Sequence, residues 1–200
     1  NFIWAKSCGG KGNQIGQSIK VDAMGDVYTT GIFQDTIDFN PGTGVANLSA
    51  VGEEDVFILK LDANGNFLWA KSFGGIEMDQ GYSIAIDAEG NVYTTGYFID
   101  TVDFDPGTGV TNLSAVGGKD IFILKLDPNG NFVWAKSFGG KLHDKGTSIA
   151  VDEIGNIFTT GTFQDTVDFD PGKESMNLYA LGNDDIFIQK LDNYAIYDTK

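Results

Sequence analysis

One segment of this sequence occurs three times, and consecutive copies lie 65 residues apart. The register holds without an insertion from Asn1 to Asp192. In a repeat protein each copy is one supersecondary unit that buries its apolar face against its neighbours. The sequence therefore predicts three packed units of one kind. The markers of the repeat are the tryptophans Trp4, Trp69 and Trp134, the glycines Gly10, Gly75 and Gly140, and the prolines Pro41, Pro106 and Pro171.

Each copy is predicted to contain four β-strands. In the middle copy they cover residues 82–87, 91–98, 120–127 and 131–138, which are short runs rich in β-branched and aromatic residues between Gly, Asn and Asp. A loop of roughly twenty residues is expected between the second strand and the third, which is long for a compact domain. No stretch of useful length has the apolar period of a helix.

The third strand of the copy decides the predicted architecture. The run "DIFILKL" at residues 120–126 is apolar on both faces, so both faces of its sheet need cover. Without helices, that cover must come from other sheets. We therefore expect an all-β fold, a β-propeller built of four-stranded antiparallel blades. The expected units are residues 11–75 for blade 1, 76–140 for blade 2 and 141–200 for blade 3, which lacks a fourth strand of its own, while residues 1–10 form the last strand of a preceding blade or a closing strand.

The segments "GNVYTTGYF", "DIFILKLDPNGNFVWAKSFGG" and "SIAIDAEGN" resemble the bacterial β-propeller repeat called SBBP, which occurs in large secreted or surface proteins. The "DFDPG" segment is similar to a variant in surface proteins of the Bacteroidetes type. The resemblance implies a propeller, an extracellular or cell-surface location and no catalytic activity. Since a propeller ring usually has about 4–8 blades, three copies imply a piece of a longer propeller or array, or self-association into a full ring or a filament.

Charge narrows the choice of partner. Thirteen lysines, no arginine and 28 acidic residues give a formal net charge of −15. Such a field repels the phosphates of nucleic acids and anionic membranes. No apolar run approaches the about 20 residues of a membrane span, so membrane insertion is not expected. Cations, basic proteins and neutral glycans remain as partners. The single cysteine, Cys8, occupies a position that is Phe in the other copies, which indicates an apolar filler.

An acidic group recurs at each Pro-Gly pair, and two interpretations of it stay open. Clustered oxygen ligands before a glycine turn can bind Ca²⁺, which takes about 6–8 oxygens. The same side chains can instead accept backbone N–H groups in tight turns. Calcium is the only cofactor that the sequence suggests. The residues concerned are Asp38 and Asn40, Asp103 and Asp105, and Asp168 and Asp170.

A threonine follows an aspartate and precedes an apolar residue in each copy. These threonines are Thr36, Thr101 and Thr166. The tripeptide resembles a short O-glycosylation signal of some Bacteroidetes proteins. The alternative is that Thr stands there for its preference for strands.

The links between copies differ most from one another, and binding residues concentrate on such loops of a rigid scaffold. Asn13, Met78 and His143 stand at matching positions in the links. His143 is the only histidine of the sequence. A catalytic triad needs a histidine beside a nucleophile, and a metal site needs several ligands, so a lone loop histidine supports neither.

The sequence therefore predicts a non-catalytic extracellular repeat module that acts as a binding scaffold for a protein or a glycan at a cell surface. An enzyme is not expected, because no set of catalytic residues can be assembled from loops that are repeated three times. The near-identity of the copies also suits a second function, a structural repeat of an extracellular filament or adhesin stalk.

Overall fold

The computed structural model describes residues 1–172 and 174–192, and every helix or strand assigned in that part of the chain is a β-strand. It holds no helix with the length and apolarity that crossing a membrane would demand. In chain order the strands are β1 (Gln14–Val21), β2 (Val27–Phe33), β3 (Thr36–Asp38), β4 (Asn47–Ser49), β5 (Asp55–Leu61), β6 (Phe67–Phe73), β7 (Gln80–Ile86), β8 (Val92–Asp103), β9 (Asn112–Leu126), β10 (Phe132–Phe138), β11 (Lys145–Val151), β12 (Ile157–Phe163), β13 (Thr166–Asp168), β14 (Asn177–Tyr179) and β15 (Asp185–Leu191).

The strands form three main sheets that follow one another along the chain. The first sheet has the order β1-β2-β5-β6, the second β7-β8-β9-β10, and the third β11-β12-β15. Neighbouring strands in each sheet run antiparallel. The second strands begin at Val27, Val92 and Ile157, so corresponding elements keep the interval of the sequence repeat. The all-β, antiparallel part of the predicted fold is thereby confirmed.

The predicted loop between the second and third strands is wrong, because the structure forms a β-hairpin there. In the second sheet β8 and β9 run on past the sheet edge and pair Thr101 with Ser114 and Asp103 with Asn112. In the other two sheets the same pairing is made by β3 with β4 and by β13 with β14. We name these hairpins the arms: residues 36–49, 101–114 and 166–179, the last described without residue 173. The Pro-Gly segment predicts a loop, but in the structure it forms the tip of a hairpin. The residues before and after it pair with each other as strands.

Residues 120–126 of strand β9 are buried on both faces, as their sequence predicts. Ile121, Phe122, Ile123 and Leu124 are each at most 1% exposed. Phe122 and Leu124 belong to an apolar cluster with the first sheet, and Ile121 and Ile123 to a cluster with the third sheet. The middle sheet is therefore sandwiched between its two neighbours, and that burial is the main apolar contribution to the fold.

Polar ties repeat at each junction between adjacent sheets. The backbone N–H of Ile84 in β7 donates to Ser18 Oγ of β1 at 3.3 Å, and Ile149 in β11 donates to Ser83 Oγ of β7 at 3.2 Å. A register shift in each of these first strands accompanies the tie. The first strands of neighbouring sheets thus lie side by side.

The indole N–H of Trp69 joins two neighbouring sheets. Trp69 of β6 stacks edge-on against Tyr28 of its own sheet, at 6.3 Å between ring centroids. Its indole N–H donates to Pro128 O in a turn of the next sheet at 3.2 Å. Trp4 makes the same bond to Ala63 O at 3.1 Å, although residues 1–8 form no assigned strand. The interpretation of residues 1–10 as the last strand of another blade stays a prediction.

The turns at one end of the sheets share an Asp-x-x-Gly pattern. In each turn one aspartate oxygen accepts the N–H groups two and four residues later; Asp127 Oδ1 does so from Asn129 and Asn131, both at 2.8 Å. Gly130 follows with a φ of +78°, which favours glycine. We name this end the turn face. The fourth strand expected to be missing from blade 3 has no counterpart in residues 174–192, and residues 193–200 lie outside the described part.

Candidate functional site: the arm face

The arms and the links between sheets lie at the same end of the molecule, opposite the turn face. Isolated parallel bridges join Glu54 to Met78 and Lys119 to His143, so each link runs beside the base of the preceding arm. The N–H of Asp144 donates to Lys119 O at 2.7 Å at the same place. We name this end the arm face. It gathers the parts of the repeat that differ most in sequence.

The arms are anchored by aromatic packing. Phe104 in the second arm is fully buried. Its ring lies 5.2 Å from Phe98 of its own sheet and 5.2 Å from Phe73 of the preceding sheet, between centroids. In the third arm Phe169 packs in the same way against Phe163 and Phe138. The second and third arms are thus fixed over the junction of two sheets, and the ring of Phe39 in the first arm packs on Phe33 and Phe57 of its own sheet.

An aspartate in the left-handed conformation stands at the base of each arm. Asp35, Asp100 and Asp165 have φ values of 59°, 57° and 57°. Asp and Asn tolerate this conformation better than other residues with a side chain. In the second sheet the strand register shifts at this point, between Ile99 and Thr101. The aspartate of the tripeptide thus has a structural reason to recur, because it turns the strand into the arm.

The candidate calcium ligands serve the backbone of the arm tips. Asp103 Oδ1 accepts the N–H groups of Asp105 at 3.0 Å and of Thr111 at 2.8 Å. Asp105 Oδ1 accepts the N–H of Gly107 at 2.8 Å. Asp38 with Asn40 and Asp168 with Asp170 repeat these bonds.

These bonds favour the turn interpretation of the acidic group. The N–H groups of Ala46 and Asn40 lower the pKa of Asp38, because they stabilise its carboxylate. Within residues 1–172 and 174–192, no group of three or more His, Cys, Asp or Glu side chains is placed to hold a metal ion. Calcium binding stays a prediction to which the structure gives no site.

The candidate glycosylation sites lie on the arms with their hydroxyls engaged. Thr36 Oγ1 lies 2.7 Å from Ser49 Oγ across the first arm, and Thr101 Oγ1 lies 2.7 Å from Ser114 Oγ across the second. Both threonines are exposed. Thr166 is partly buried, and its Oγ1 donates to Asp165 Oδ1 at 3.3 Å. Glycosylation stays a prediction, and cross-strand pairing accounts for the first two residues.

The candidate binding residues of the links are held through their backbones. The N–H of Asn13 donates to Gln34 Oε1 at 3.1 Å, and the N–H of His143 donates to Gln164 Oε1 at 3.3 Å. Asn13 and His143 are exposed, and Met78 is partly buried. The side chains of the first two therefore reach solvent on the arm face, although each stands on a different link.

Most of the exposed apolar side chains of the arm face are aliphatic. Val45 and Val110 stand at arm tips and are each 73% exposed, while Val51, Val116 and Leu181 stand where the arms rejoin the sheets and are 69%, 71% and 95% exposed. Exposed acids lie among them. Scattered apolar residues on a surface are normal, but the same positions recur here in successive arms.

Sequence reasoning missed four buried aspartates beneath this face. Asp55 is the first residue of β5, and Asp120 occupies the equivalent position within β9. Asp79 and Asp144 stand at the ends of the links between sheets. All four side chains are at most 1% exposed. Charged side chains are almost never so buried unless they are paired. The sequence carried a signal, since an aspartate stands directly before an apolar run in every copy.

Two clefts lie at the ends of the stack of sheets. One of about 490 Å³ runs along β15 and is lined by residues that include Phe169, Met176 and Ile188. The other, of about 360 Å³, lies on the first sheet next to Trp4, Ile15 and Ile19. Both are bordered by apolar side chains whose equivalents at the internal junctions are covered by a neighbouring sheet. They are features of the open ends, and the first also reaches the third arm at Asp170, Pro171 and Leu178.

Comparison with known proteins agrees with this fold. A family model described as "Beta-propeller repeat" matches residues 68–97, which run from β6 into β8. An uncharacterised WD repeat-containing protein of Acanthamoeba polyphaga mimivirus is 32% identical over 120 residues, which cover 53% of this chain and 9% of that protein. The regulatory protein FlaEY of Caulobacter vibrioides is 27% identical over 139 residues, which cover 70% of this chain and 14% of that protein.

The chain thus corresponds to a small part of each relative. Repeats of the propeller type commonly mediate protein interactions on a rigid frame whose loops can vary. Residues 68–97 thus match a β-propeller repeat within an all-β, antiparallel fold.

Proposed function

We propose that the chain is part of a non-catalytic β-propeller that binds a protein ligand on its arm face, outside the cell. The observation that carries the proposal is the row of anchored arms with exposed aliphatic side chains at equivalent positions. Because the arms are fixed by buried aromatic rings, a ligand would meet a surface that needs little ordering on binding.

The chemistry of the arm face favours a basic ligand with apolar side chains. Val51 is followed closely by the exposed acid Glu53, and Asp100 is exposed at the base of the second arm. The net charge of −15 adds a long-range attraction for a positively charged partner. Aliphatic contacts would supply affinity, and the acids would set orientation and association rate.

The same surface favours a protein over a glycan. The side chains that stand out from the arm tips and bases are mostly aliphatic, whereas recognition of a sugar ring by stacking would require exposed aromatic rings. In the described part of the arms Tyr179 is exposed, at 66%. A glycan ligand would therefore be expected to depend on Tyr179 and on the third arm.

The arm face can be tested against the turn face with matched variants. The arm variant combines Val51→Ser, Val116→Ser and Leu181→Ser, and the control combines Met24→Ser and Ile154→Ser, two exposed turn-face residues. Proteins retained by the chain from the surface fraction of its own cells would be identified, purified and titrated calorimetrically. We expect the arm variant to bind at least about tenfold more weakly and the control to bind as before.

Equal binding by both variants would contradict the proposal. Binding to a glycan array that is lost with Tyr179→Ala would support the glycan alternative instead. The extracellular location rests on the resemblance to surface-protein repeats. Protease treatment of intact cells would test it, since a surface protein is cleaved and an internal one is protected.

A second function, assembly into a longer array, is favoured by the two open ends of the stack. Ile19 in β1 is 62% exposed, while its equivalents Ile84 and Ile149 are 0% and 4% exposed. Ile188 in β15 is 78% exposed, while Ile58 and Ile123 at the same position are fully buried. We propose that sheets of the same kind cover both ends, from flanking repeats or from a second copy, as a ring or a filament.

The register of the missing contact follows from the internal sheets. Phe73 pairs with Val56, and Phe138 pairs with Ile121. By equivalence Cys8 would face Ile186 if residues 2–8 joined β15 as its next strand. Ile186 is 78% exposed, and among the described residues no strand pairs with that edge of β15.

Oxidative cross-linking of Ile186→Cys tests this contact, with Ile154→Cys on the turn face as control. We expect a disulfide to Cys8 in the first variant and none in the control. A link between chains would show association of two copies, and a link within one chain would show ring closure. Failure of both variants to cross-link, together with a monomeric mass by light scattering, would contradict self-association.

A further inference from the structure

The junction between the first and second sheets buries two carboxyl groups on either side of the Gly74-Gly75 link. Asp79 is fully buried, and its two oxygens accept the N–H groups of Gly75 at 2.6 Å and of Ile99 at 3.0 Å. Asp55 is 1% exposed, and a Cβ built on Gly74 would overlap with its carboxyl group. The dipeptide therefore separates two buried acids.

The junction between the second and third sheets repeats this arrangement. Asp144 accepts the N–H groups of Gly140 at 2.7 Å and of Gln164 at 2.9 Å. Asp120 lies against Gly139, where a Cβ would overlap with its carboxyl group. Asp144 and Asp120 are 0% and 1% exposed. The pair is thus a property of the junction and not of one copy.

One oxygen in each pair has no hydrogen-bond partner. Asp55 Oδ2 accepts the N–H of Val51 at 3.0 Å, and Asp120 Oδ2 accepts the N–H of Val116 at 3.0 Å. The other oxygen, Oδ1 of Asp55 and of Asp120, is buried without a partner. An ionised carboxylate with an unsatisfied buried oxygen is costly, and a carboxylate in a dry site takes up a proton instead.

The first copy shows that a neutral side chain suits the same position. Gln14 stands where the later copies have Asp79 and Asp144. Its Oε1 accepts the N–H of Gly10 at 3.4 Å, the bond that the two aspartates make to Gly75 and Gly140. The local fold therefore needs the acceptor oxygen and not the negative charge.

We propose that each of these two junctions is a proton-binding site, in which one carboxyl group of the pair Asp55–Asp79 or Asp120–Asp144 is protonated, so that adjacent sheets pack without two negative charges buried between them. The free Oδ1 of Asp55 or Asp120 is the atom that can carry the proton without displacing a backbone donor. Release of the proton leaves two negative charges buried at one junction, and the sheets then separate more easily.

The charged and titratable groups around each pair influence the pH at which the pair releases its proton. Glu54, Glu77 and the Tyr97 hydroxyl lie near the first pair, and the ammonium of Lys119 lies over the Tyr97 ring, 3.9 Å from its centroid. His143 and Asp165 lie near the second pair, where His143 favours the ionised form of Asp144 and Asp165 opposes it.

The direction of the pKa shifts supports a bound proton. Burial, with smaller contributions from Asp55 and Glu77, raises the pKa of Asp79 to about 7. Burial, with Asp144, raises the pKa of Asp120 to about 6. Burial also raises the pKa values of Asp55 and Asp144. A raised folded pKa means that the stabilisation is complete below the ordinary value of 3.8 and is lost as the pH rises through about 6 to 7.

The test compares the pH dependence of melting in the 200-residue chain with that of two double variants. Asp79→Asn with Asp144→Asn removes the ionisable partner at each junction and keeps an acceptor oxygen. Glu53→Gln with Glu153→Gln removes the same charge from exposed positions and is the control. We expect the melting temperature of the unmodified chain and of the control to fall between about pH 5 and pH 8, and that of the junction variant to change less.

Titration of the aspartate carboxyl carbons by NMR in the unmodified chain keeps the proposal testable if the junction variant does not fold. One carboxyl in each pair should titrate at least about 1.5 pH units above ordinary aspartates. The proposal is overturned if all aspartates titrate below about pH 5, or if the junction variant folds and loses stability with pH as steeply as the control.

Discussion

Most acidic side chains of this chain act on its own backbone. Asp127 at the turn face and Asp103 in an arm each accept two N–H groups with a single oxygen. The pKa of Asp127 is lowered by its bonds to Asn131 and Asn129 and by Lys71, which outweigh its partial desolvation. A high acid content therefore does not require a ligand. The acids satisfy donors that loops would otherwise leave to water.

Replacement of Asp103 separates the two interpretations of the arm acids. Asp103→Ala leaves the N–H groups of Asp105 and Thr111 without their acceptor, so we expect a loss of about 1–3 kcal/mol in the free energy of unfolding, measured in urea. Asp103→Asn keeps one acceptor oxygen and should lose less. A rise in the melting temperature of the unmodified chain with millimolar Ca²⁺, absent in Asp103→Ala, would favour calcium binding instead.

In the Gly-Gly link, the packing of two sheets decides which positions must be glycine. Gly74 and Gly139 make room for a carboxyl group, because a Cβ at either position would overlap with Asp55 or Asp120. The equivalent Gly9 meets no such group, because its nearest neighbour is Gln14 Oε1 at 3.6 Å from the built Cβ. The three glycines look alike in sequence and differ in their surroundings.

Alanine at these glycines should therefore have unequal effects. Gly139→Ala forces a methyl group into the carboxyl of Asp120, and we expect a loss of about 1–3 kcal/mol in the free energy of unfolding. Gly9→Ala is the matched control and should change it by less than about 0.5 kcal/mol. Urea denaturation followed by tryptophan fluorescence measures both. Similar losses in the two variants would mean that backbone conformation, not the carboxyl contact, requires glycine.

Sequence reasoning located the strands of each sheet better than the arms. Residues 131–138 were predicted as a strand and β10 covers Phe132–Phe138, because the pattern and the turn signals there are local. The arm depends on pairing Thr101 with Ser114 across a Pro-Gly tip, and only one side of it is buried. The buried pair Asp55 and Asp79 depends on contact between two sheets, which a local pattern does not show.

At the scale of the whole molecule, position in the stack decides what an identical residue contributes. Ile123 lies in the middle sheet and is fully buried between two neighbours, while Ile188 occupies the same place in the last sheet and is 78% exposed. The apolar pattern of β15 is that of a doubly covered strand. The third sheet therefore exposes apolar side chains of the kind that an adjacent sheet covers at the internal junctions, which agrees with the assembly proposed above.

Truncation of the two isoleucines measures this difference. Ile123→Ala opens a cavity between the second and third sheets and should lower the free energy of unfolding by about 2–5 kcal/mol. Ile188→Ala should lower it by less than about 0.5 kcal/mol in the isolated chain. Thermal and urea unfolding give both values. A large loss from Ile188→Ala would indicate that the end of the stack is already covered.

The tie from Trp69 to Pro128 has a consequence for how such a chain can change in length. The Trp69 indole donates to a turn carbonyl of the next sheet, and at both junctions a serine hydroxyl accepts a backbone N–H of the next sheet. A sheet can therefore pack against any successor that carries this carbonyl and this N–H in the right places. Excising residues 76–140 would splice Gly75 to Lys141 and recreate the link sequence that now joins the second sheet to the third. Gain or loss of whole 65-residue modules by gene duplication or deletion would thus be tolerated, whereas a shift of a few residues would not.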